Sequence, residues 1–548
     1  MAPIFVGSNN ENSRVRSNRI GFAASTSDPG SAAEGDGYYN SSDNQLKFYD
    51  GSAWSAIQGS GAVSLTASGT LSNGSPVVIN TDGTVSKVTA SNPSIGSSSE
   101  FLDASSGNIN IGYDENTQRV VVAIQIESSP YRGQVYVGVV TASDNSVHWG
   151  SPTNLHTTGT QNASPEKVIY DPSSQKTVII YDSNSTGSTK GYAVVGTVAG
   201  PGLGITFGTP VVFEDGGQAY AAESVYDPVN KKLIIVYLDA TDNGYGKAIV
   251  GTVSGDVITF GSTYTFENGG YAWNPHISYD PVANKVLITY RDAGNSNYGT
   301  AIVGTVSGTS ISFGTASVFA SANALYNSVS YNSKVGKHLI VYRDNSDSEI
   351  GKALMATVSG DTVTFGSTIT FEGNFSAVGY TISLYDSNRE KSVILAVPET
   401  GGDPNYENAH AYIADIDGNT ISIASTTAFN TNRNNTMFDA TYDSSQARFV
   451  TASRNYIVNQ AQNSSAAFVF DPGNNLFPNN FIGFSDAAYS NGATAKVQIV
   501  GSTDDAQTGL TTGSLHYVQA DGTLSTTAGT PSVLAGIALT DTKILIRK

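Results

Sequence analysis

Apolar and polar residues alternate in short runs along most of the chain, and Gly, Asn, Asp and Ser separate the runs. Alternation with a period of two indicates β-strands, because neighbouring side chains of a strand point to opposite faces. No long run has the spacing of three and four residues that an amphipathic helix requires. The pattern therefore predicts an all-β protein with many short strands and tight turns.

A Tyr-Asp pair, once replaced by Tyr-Asn, recurs through the middle of the chain. Successive copies lie 52 to 57 residues apart and begin at Tyr113, Tyr170, Tyr226, Tyr279, Tyr331, Tyr385 and Tyr442. Such regular spacing indicates copies of one structural unit. The pairs are called anchors below.

The copy around Tyr279 can be divided into four strands, at residues 276–280, 286–290, 301–306 and 311–319. Asp280-Pro281 and Ser307-Gly308-Thr309 are turn signals between them. Four antiparallel strands in about 50 residues are typical of a propeller blade. The sequence therefore predicts a seven-bladed β-propeller of four-stranded antiparallel blades over residues 94–471.

The fourth strand of most copies carries two large apolar residues six positions apart. The pairs are Trp149/Leu155, Phe207/Phe213, Phe260/Phe266, Phe313/Phe319, Phe365/Phe371 and Ile423/Phe429. Because six is even, both members are expected on one face of the strand, where they would join neighbouring blades.

The last copy lacks such a fourth strand, and a matching segment precedes the first copy. Ile95 and Phe101 keep the spacing of six, and Gly96 aligns with Gly314. We therefore predict that residues 94–101 pair with residues 465–471. This pairing would close the ring and remove its open edges.

The sequence on either side of the repeats is β-rich and contains Asp-Gly hairpin signals. Residues 62–92 and 477–548 are expected to form one small β domain into which the propeller is inserted, or two separate β modules. Residues 1–60 combine a hairpin pattern with the chain's basic cluster, Arg14, Arg16 and Arg19. So small a unit seldom stands alone, so we expect it to attach the chain to another protein.

The composition argues against several classes of function. The net charge is −18 with only 28 Lys and Arg residues, which argues against nucleic-acid binding and against anionic membrane surfaces. The chain has no cysteine, and its six histidines are scattered singly. No long apolar segment suggests membrane insertion. We expect no cofactor and no metal site of the usual spacing.

The second connection of each blade and the connection between blades are expected at one end of the propeller. They are longer than the other turns and carry the aromatic residues Tyr245, Tyr271, Trp273, Tyr298, Tyr326, Tyr380 and Tyr406. Aromatic rings among Asn, Ser and Gly suit polar ligands such as glycans. Asp239, Asp292 and Asp344 end second strands near this face, where they would bind sugar hydroxyls or Ca²⁺, or cap their own turns.

Three segments resemble modules of virion appendages. Gly37-Tyr38-Tyr39-Asn40 through Trp54 is similar to a short module of tailed-phage fibres. Tyr290-Arg291-Asp292 with residues 298–306, and residues 501–523, resemble tail-fibre-like proteins of marine, particularly cyanobacterial, phages. The resemblance implies a structural virion protein, made in the infected host cytoplasm, often trimeric, that binds other tail proteins and a bacterial surface receptor. It brings no catalytic residues.

The sequence therefore favours a tail fibre or other appendage whose propeller binds a host-surface glycan or protein. A purely architectural virion protein is the alternative, and a glycan hydrolase is a third. Acidic loop residues fall at equivalent blade positions, sialidase-type Ser-x-Asp-x-Gly-x-Thr-Trp boxes are not found, and His276 stands alone. The expectation from these features is a protein that is not an enzyme.

Overall fold

The structure is a computed structural model. It describes residues 24–30, 37–40, 45–49, 54–56, 61–80, 83–127, 131–155, 162–183, 189–200, 202–373, 375, 377–398, 409–429, 434–456 and 463–547. Within these ranges every regular element is a strand, apart from the short 3-10 turn Ala293–Asn295. The all-β prediction is confirmed. The described residues include no helix with the length and apolar character needed to cross a membrane.

The chain divides into two compact units, one formed by Met1–Val88 with Asn480–Lys548 and the other by Thr89–Asn479. The second unit contains the anchors. Its antiparallel sheets have four or five strands, except for one sheet of nine strands that combines two copies. We number the copies as repeats 1 to 7 in chain order.

In the first three repeats the first four strands pair in chain order, and the fifth strand of repeats 1 and 2 pairs with the third. Repeat 1 consists of Ser106–Asp114, Arg119–Ile126, Gly133–Thr141, Ser146–Trp149 and Thr153–Asn154. Repeat 2 consists of Ser164–Asp171, Lys176–Ser183, Lys190–Val198, Ile205–Phe207 and Val211–Glu214. Repeat 3 consists of Ala219–Asp227, Lys232–Asp239, Tyr245–Ser254 and Val257–Glu267.

Repeats 4 and 5 share the long strand Ser317–Asn332, whose first half pairs with Tyr298–Ser307 and whose second half pairs with Lys337–Asp344. The other strands of repeat 4 are Ala272–Asp280, Lys285–Asp292 and Ser310–Phe313. Repeat 5 adds Ile350–Ser359, Thr362–Phe365 and Ile369–Glu372. Repeat 6 consists of Val378–Asp386, Lys391–Pro398, Ala409–Asp417 and Thr420–Phe429.

Repeat 7 has three strands of its own and receives two more from the chain ahead of repeat 1. Its own strands are Asn434–Asp443, Arg448–Tyr456 and Asn463–Asp471. The last of these pairs with Ser94–Ile95 and Ser99–Leu102, with Ile95 opposite Phe470 and Glu100 opposite Ala466. The predicted pairing of residues 94–101 with 465–471 is confirmed.

The anchors recur because each Asp satisfies the turn that follows the first strand. Asp280 Oδ1, for example, accepts hydrogen bonds from the backbone N–H groups of Val282 and Ala283, both at 2.9 Å. Some anchors also reach the next repeat, as where Thr177 Oγ1 donates to Asp114 Oδ2 at 2.8 Å. The anchor carboxylates are buried, so the recurrence of the Tyr-Asp pair reflects a structural requirement of the turn.

The apolar pairs of the fourth strand join neighbouring repeats, but not from one face as predicted. Phe207 packs in the core cluster between repeats 1 and 2, whereas Phe213 packs in the cluster between repeats 2 and 3. There Phe213 meets Phe260, with ring centroids 5.8 Å apart. In repeat 3 the fourth strand contains a bulge. Its Thr263 pairs with Ile249 and its Phe260 pairs with Gly251, so it carries one residue more than the third strand between these two pairs. One extra residue reverses the alternation of side chains, so the two members face opposite neighbours.

The described residues of the first unit form three sheets. One has the order Ala62–Thr66, Thr494–Gln498, Phe481–Ser485, Pro76–Ile79 and Val85–Lys87, so it draws strands from both sides of the repeats in sequence. A second contains Thr503–Asp504, Ile544–Ile546, Val533–Ala538, Leu515–Val518 and Leu524–Ser525. The third contains Ala24–Ser25, Gly37–Asn40, Gln45–Tyr49 and Trp54–Ala56. The boundaries expected from the sequence, at residues 1–60, 62–92, 94–471 and 477–548, remain predictions.

Candidate functional site

Each of the seven first strands contains a bulge, which in repeat 5 lies in the middle of the shared strand Ser317–Asn332. At this point the strand carries one more residue than its partner, within the segments 106–109, 165–167, 220–223, 273–276, 325–328, 378–381 and 435–438. A bulge re-aims the side chains beside it and is often found next to functional sites. The seven bulges therefore mark one end of the first strands as a candidate site.

A cavity of about 150 Å³ lies at this end, and all seven first strands contribute to its lining. We call it the central cavity. Its lining residues are Asn110, Glu166, Ala221, Ala222, Glu223, Asn274, Pro275, His276, Tyr326, Asn327, Tyr380, Thr381, Ile382, Phe438 and Asp439. The bulges thus direct polar and aromatic side chains into one space.

The backbone around the cavity is strained at three equivalent positions. Ala221, Asn274 and Tyr326 have φ angles of 51°, 49° and 49°, in the left-handed region that is costly for residues other than glycine. Side chains of the following repeats fix two of these positions. Asn327 Nδ2 donates to the carbonyl oxygen of Asn274 at 3.0 Å, and Thr381 Oγ1 donates to that of Tyr326 at 2.5 Å.

Lys167 connects two of the acidic residues that line the cavity. Lys167 Nζ lies 2.9 Å from Glu223 Oε2 and 3.9 Å from Asp439 Oδ2. Burial alone would lower the pKa of Lys167, but Asp439 and Glu223 outweigh it and the pKa is raised. Burial raises the pKa of Asp439, because the attraction of Lys167 at this distance and the bonds from the N–H groups of Ile111 and Ala440 do not offset it.

Glu166 lies in a different environment. No described residue forms an ion pair with it, and its Oε1 accepts a hydrogen bond from Asn108 Nδ2 at 3.0 Å. Burial, followed by repulsion from Asp182, raises the pKa of Glu166 well above its ordinary value. Burial also raises the pKa of Asp182, to about 7. The Glu166 carboxyl is therefore protonated further toward neutral pH than an ordinary glutamate, and it can donate a hydrogen bond in that form.

His276 completes the polar lining. Its Nε2 lies 3.5 Å from Glu223 Oε1, while its buried Nδ1 has no hydrogen-bond partner among the described residues. Burial lowers the pKa of His276, and the attraction of Glu223 does not offset this. The imidazole is therefore neutral over a wider pH range than usual, with one nitrogen able to donate and the other to accept.

Aromatic rings lie in and beside the cavity. The rings of Tyr326 and Tyr380 in the lining are 4.7 Å apart. Trp273 stacks on Tyr271 at 5.1 Å and meets the edge of Tyr220 at 6.2 Å. Tyr220 and Tyr271 are 42% and 41% exposed, so this group presents ring surface to solvent.

The aromatic residues predicted from the sequence fall into two groups. Tyr326 and Tyr380 line the central cavity, and Tyr271 and Trp273 lie beside it. Tyr245 and Tyr298 begin the third strands of repeats 3 and 4 and do not line the cavity. Tyr406 lies outside the described residues.

The prediction that Trp273 lies in a connection between repeats is wrong. Trp273 belongs to strand Ala272–Asp280, opposite Arg291, and is half-buried. The guanidinium carbon of Arg291 lies 5.6 Å from the centre of its ring. Its neighbours therefore fix the indole in place.

The three strand-terminal aspartates cap their own turns, the structural alternative named from the sequence. Asp239 Oδ1 accepts from the N–H groups of Thr241 and Asp242 at 3.0 and 3.1 Å. Asp292 accepts from Asn295 N at 3.1 Å, and Asp344 from Ser346 N at 3.0 Å. Across the described ranges, no group of three or more His, Asp or Glu side chains could hold a metal ion.

The charged cavity residues were not found from the sequence, although a signal existed. Lys167, Glu223, His276 and Asp439 each stand three positions before an anchor tyrosine, and Glu166 stands four before one. This part of a buried strand would ordinarily be apolar. Charged residues at the same position of several repeats therefore indicated a shared polar site.

Neither a scan against protein-family models nor a search of curated proteins finds a match. Several solved structures are similar. A protein of unknown function from Dyadobacter fermentans is 11% identical, with a TM-score of 0.38, over 70% of this chain and 98% of that one. A mutant of the NanB sialidase from Streptococcus pneumoniae is 12% identical, with a TM-score of 0.41, over 68% of this chain and 69% of that one.

A third similar structure is a mutant of the Trypanosoma rangeli sialidase displaying trans-sialidase activity. It is 12% identical, with a TM-score of 0.33, over 75% of this chain and 59% of that one. These similarities concern the all-β, propeller-like fold. The expectation that the chain is not an enzyme is contradicted by the sialidases among the similar structures. Apart from the acidic loop residues, Glu166, Glu223 and Asp439 lie together in the lining of one cavity.

Proposed function

We propose that Thr89–Asn479 is a seven-bladed β-propeller with the central cavity at one end of its channel. Core clusters that each join two neighbouring repeats support this arrangement. The cluster containing Val121 and Val194 joins repeats 1 and 2, and the series continues to the cluster containing Leu395 and Phe468, which joins repeats 6 and 7. A further cluster contains Val122 of repeat 1 and Val450 of repeat 7, as a ring requires.

The propeller binds a saccharide in the central cavity. The observation that carries this proposal is the composition of the lining, in which seven bulged strands bring carboxyl, amide and aromatic groups together. Carboxyl and amide groups exchange hydrogen bonds with sugar hydroxyls, and aromatic rings cover the apolar faces of sugar rings. A concave site with a few convergent polar groups is the usual form of a small-molecule site.

The proposed setting is attachment of a virus particle to a bacterial surface glycan. The support is the resemblance of residues 37–54, 290–306 and 501–523 to appendage modules. In this setting the chain works as a tail fibre or similar appendage, most simply as a homotrimer beside other tail proteins. A purely architectural role predicts no saccharide binding, so a measurement of saccharide binding separates the architectural role from the attachment role.

Replacing Glu223 by Gln is expected to weaken saccharide binding at least tenfold. The change removes the charge that is paired with Lys167 and weakens an acceptor for sugar hydroxyls. The measurement is a glycan array followed by calorimetric titration of the best ligand. Glu115→Gln is the matched control, because Glu115 is exposed in the turn at the opposite end of the first strand of repeat 1. Equal affinity of both variants and the parent, or an array without binding, would contradict the proposal.

A second function, hydrolysis of a glycosidic bond, is favoured by the contrast between two carboxyl groups. Burial raises the pKa of Glu166, whereas Glu223 is ion-paired with Lys167. Two carboxyl groups in such different environments suit a general acid and a charged partner. Glu166→Gln keeps an acceptor for Asn108 but removes the acidic proton, so we expect it to reduce the release of reducing ends at least a hundredfold.

The pH profile gives this hydrolysis an independent test. Protonated Glu166 persists up to its raised pKa, so the rate should fall as the pH rises through that value. Release of reducing ends from bacterial surface polysaccharide, followed from pH 4 to pH 9, measures the profile. If the parent protein binds the polysaccharide but releases no more reducing ends than Glu166→Gln does, the hydrolysis proposal is wrong and only the binding function remains.

A further inference from the structure

We infer that the bound saccharide extends beyond the central cavity and that Tyr220, Tyr271 and Trp273 form a second subsite that stacks the next sugar ring. This aromatic subsite rests on the proposed saccharide binding. It makes the ligand an oligosaccharide of at least two residues, rather than a single sugar.

The aromatic subsite is continuous with the central cavity. Tyr220 directly precedes Ala221, and Trp273 directly precedes Asn274, and both of these following residues line the cavity. Burial, then Tyr326 and then Tyr220 raise the pKa of Tyr380 in the lining, so Tyr220 lies near this residue of the cavity. A chain of sugars that leaves the cavity on the side of repeats 3 and 4 therefore passes these rings.

The size of the cavity supports a ligand that continues outside it. A volume of about 150 Å³ is below the range of roughly 300–1,000 Å³ typical of sites that enclose a drug-sized ligand. The cavity therefore suits one sugar ring, and a second ring would lie at its mouth.

The subsite is built to present ring surface in a fixed orientation. Tyr271 stacks on Trp273 with an angle of 14° between the rings, and the guanidinium of Arg291 also contacts the indole. A Cβ atom at Gly244 would overlap the ring of Tyr271, so Gly244 permits the close packing that holds this ring. Because the rings are already ordered, stacking on them costs little conformational entropy. Tyr220 and Tyr271 keep about two-fifths of their surface exposed to solvent.

The test compares ligand length in the parent and in subsite variants. The probes are the methyl glycosides of glucose, galactose and mannose and the homodisaccharides of the same sugars, titrated by calorimetry. In the parent, the matching disaccharide should bind about two- to tenfold more tightly than its monosaccharide, as one stacking contact allows. Tyr220→Ala combined with Tyr271→Ala should abolish this ratio and leave monosaccharide affinity unchanged.

The control is Tyr131→Ala, since Tyr131 is 46% exposed and contributes neither to the central cavity nor to the aromatic subsite. It should leave both affinities at parental values. A disaccharide-to-monosaccharide ratio that survives the double substitution would overturn the aromatic subsite while leaving saccharide binding intact. If none of the six probes binds the parent, the proposed function fails for these sugars and the subsite falls with it.

Discussion

Replacing Arg389 by Met is expected to lower the free energy of unfolding of Thr89–Asn479 by about 3–5 kcal/mol. The Arg389 side chain is 4% exposed, and its Nη1 forms an ion pair at 2.8 Å with Asp386 Oδ2, whose side chain is fully buried. Its Nη2 lies 3.3 Å from Asp471 Oδ1. Removing the guanidinium leaves the buried carboxylate of Asp386 without its cation, which costs much more than the loss of an exposed ion pair.

Arg389 also holds together chain segments that are far apart in sequence. Its Nη1 donates to the carbonyl oxygen of Ala447 at 2.9 Å, and its Nε donates to those of Gly473 and Asn474 at 2.5 and 3.0 Å. One side chain thus ties repeat 6 to repeat 7 and to the chain that leaves repeat 7. The Met variant should therefore lose cooperativity at the closing repeat as well as overall stability.

Urea unfolding measures the effect, and Arg454→Met is the matched control. Arg454 forms an ion pair with Glu127 at 3.2 Å but is 20% exposed, so its loss should cost about 1 kcal/mol or less. Adding Asp386→Asn to the Arg389→Met variant should recover part of the lost stability, because the unpaired negative charge of Asp386 is then removed. Similar small losses in both Met variants would show that the buried network contributes little.

The repeats could be predicted from the sequence because the residues that mark them perform local tasks. Asp280 must accept the N–H groups of its own turn, so the same residue type recurs wherever the turn recurs. Gly314 recurs for a steric reason, since a Cβ atom there would overlap the carbonyl oxygen of Asp361. Such requirements act within a strand or on its immediate neighbour, and they leave a periodic trace in the sequence.

The site could be predicted only in part, because it depends on irregularities that have no such trace. The bulge in repeat 3 decides that Phe260 and Phe266 face different neighbours, and counting residues alone placed them together. The bulges of the first strands similarly decide that Glu223 and Asp439 meet beside Lys167, although more than two hundred residues separate them in the chain. Tyr326 and Tyr380 were found because aromatic residues in the predicted connections stand out by residue type alone.

Replacing Gly96 by Ala is expected to destabilise Thr89–Asn479 by about 1–3 kcal/mol, as overpacking against rigid backbone does. Gly96 follows strand Ser94–Ile95, and its N–H donates to the carbonyl oxygen of Val469 at 3.0 Å. A Cβ atom on Gly96 would overlap the carbonyl oxygen of Asn145 in repeat 1, so the strand could remain paired with repeat 7 only if repeat 1 moved away.

Gly204→Ala is the matched control for this substitution. Gly204 lies in the turn before Ile205–Phe207, and a Cβ atom there would meet no atom within 4 Å. Its replacement should change stability by no more than about 0.5 kcal/mol. Thermal melting compares the two variants, and limited proteolysis reports whether residues 94–102 are released. If Gly96→Ala melts like Gly204→Ala and its N-terminal strand stays protected, the contact between that strand and repeat 1 does not help to keep the strand paired with repeat 7. Early cleavage near residues 94–102 together with a lowered melting temperature is the expected result, because an unpaired strand Asn463–Asp471 would then be left as an open edge.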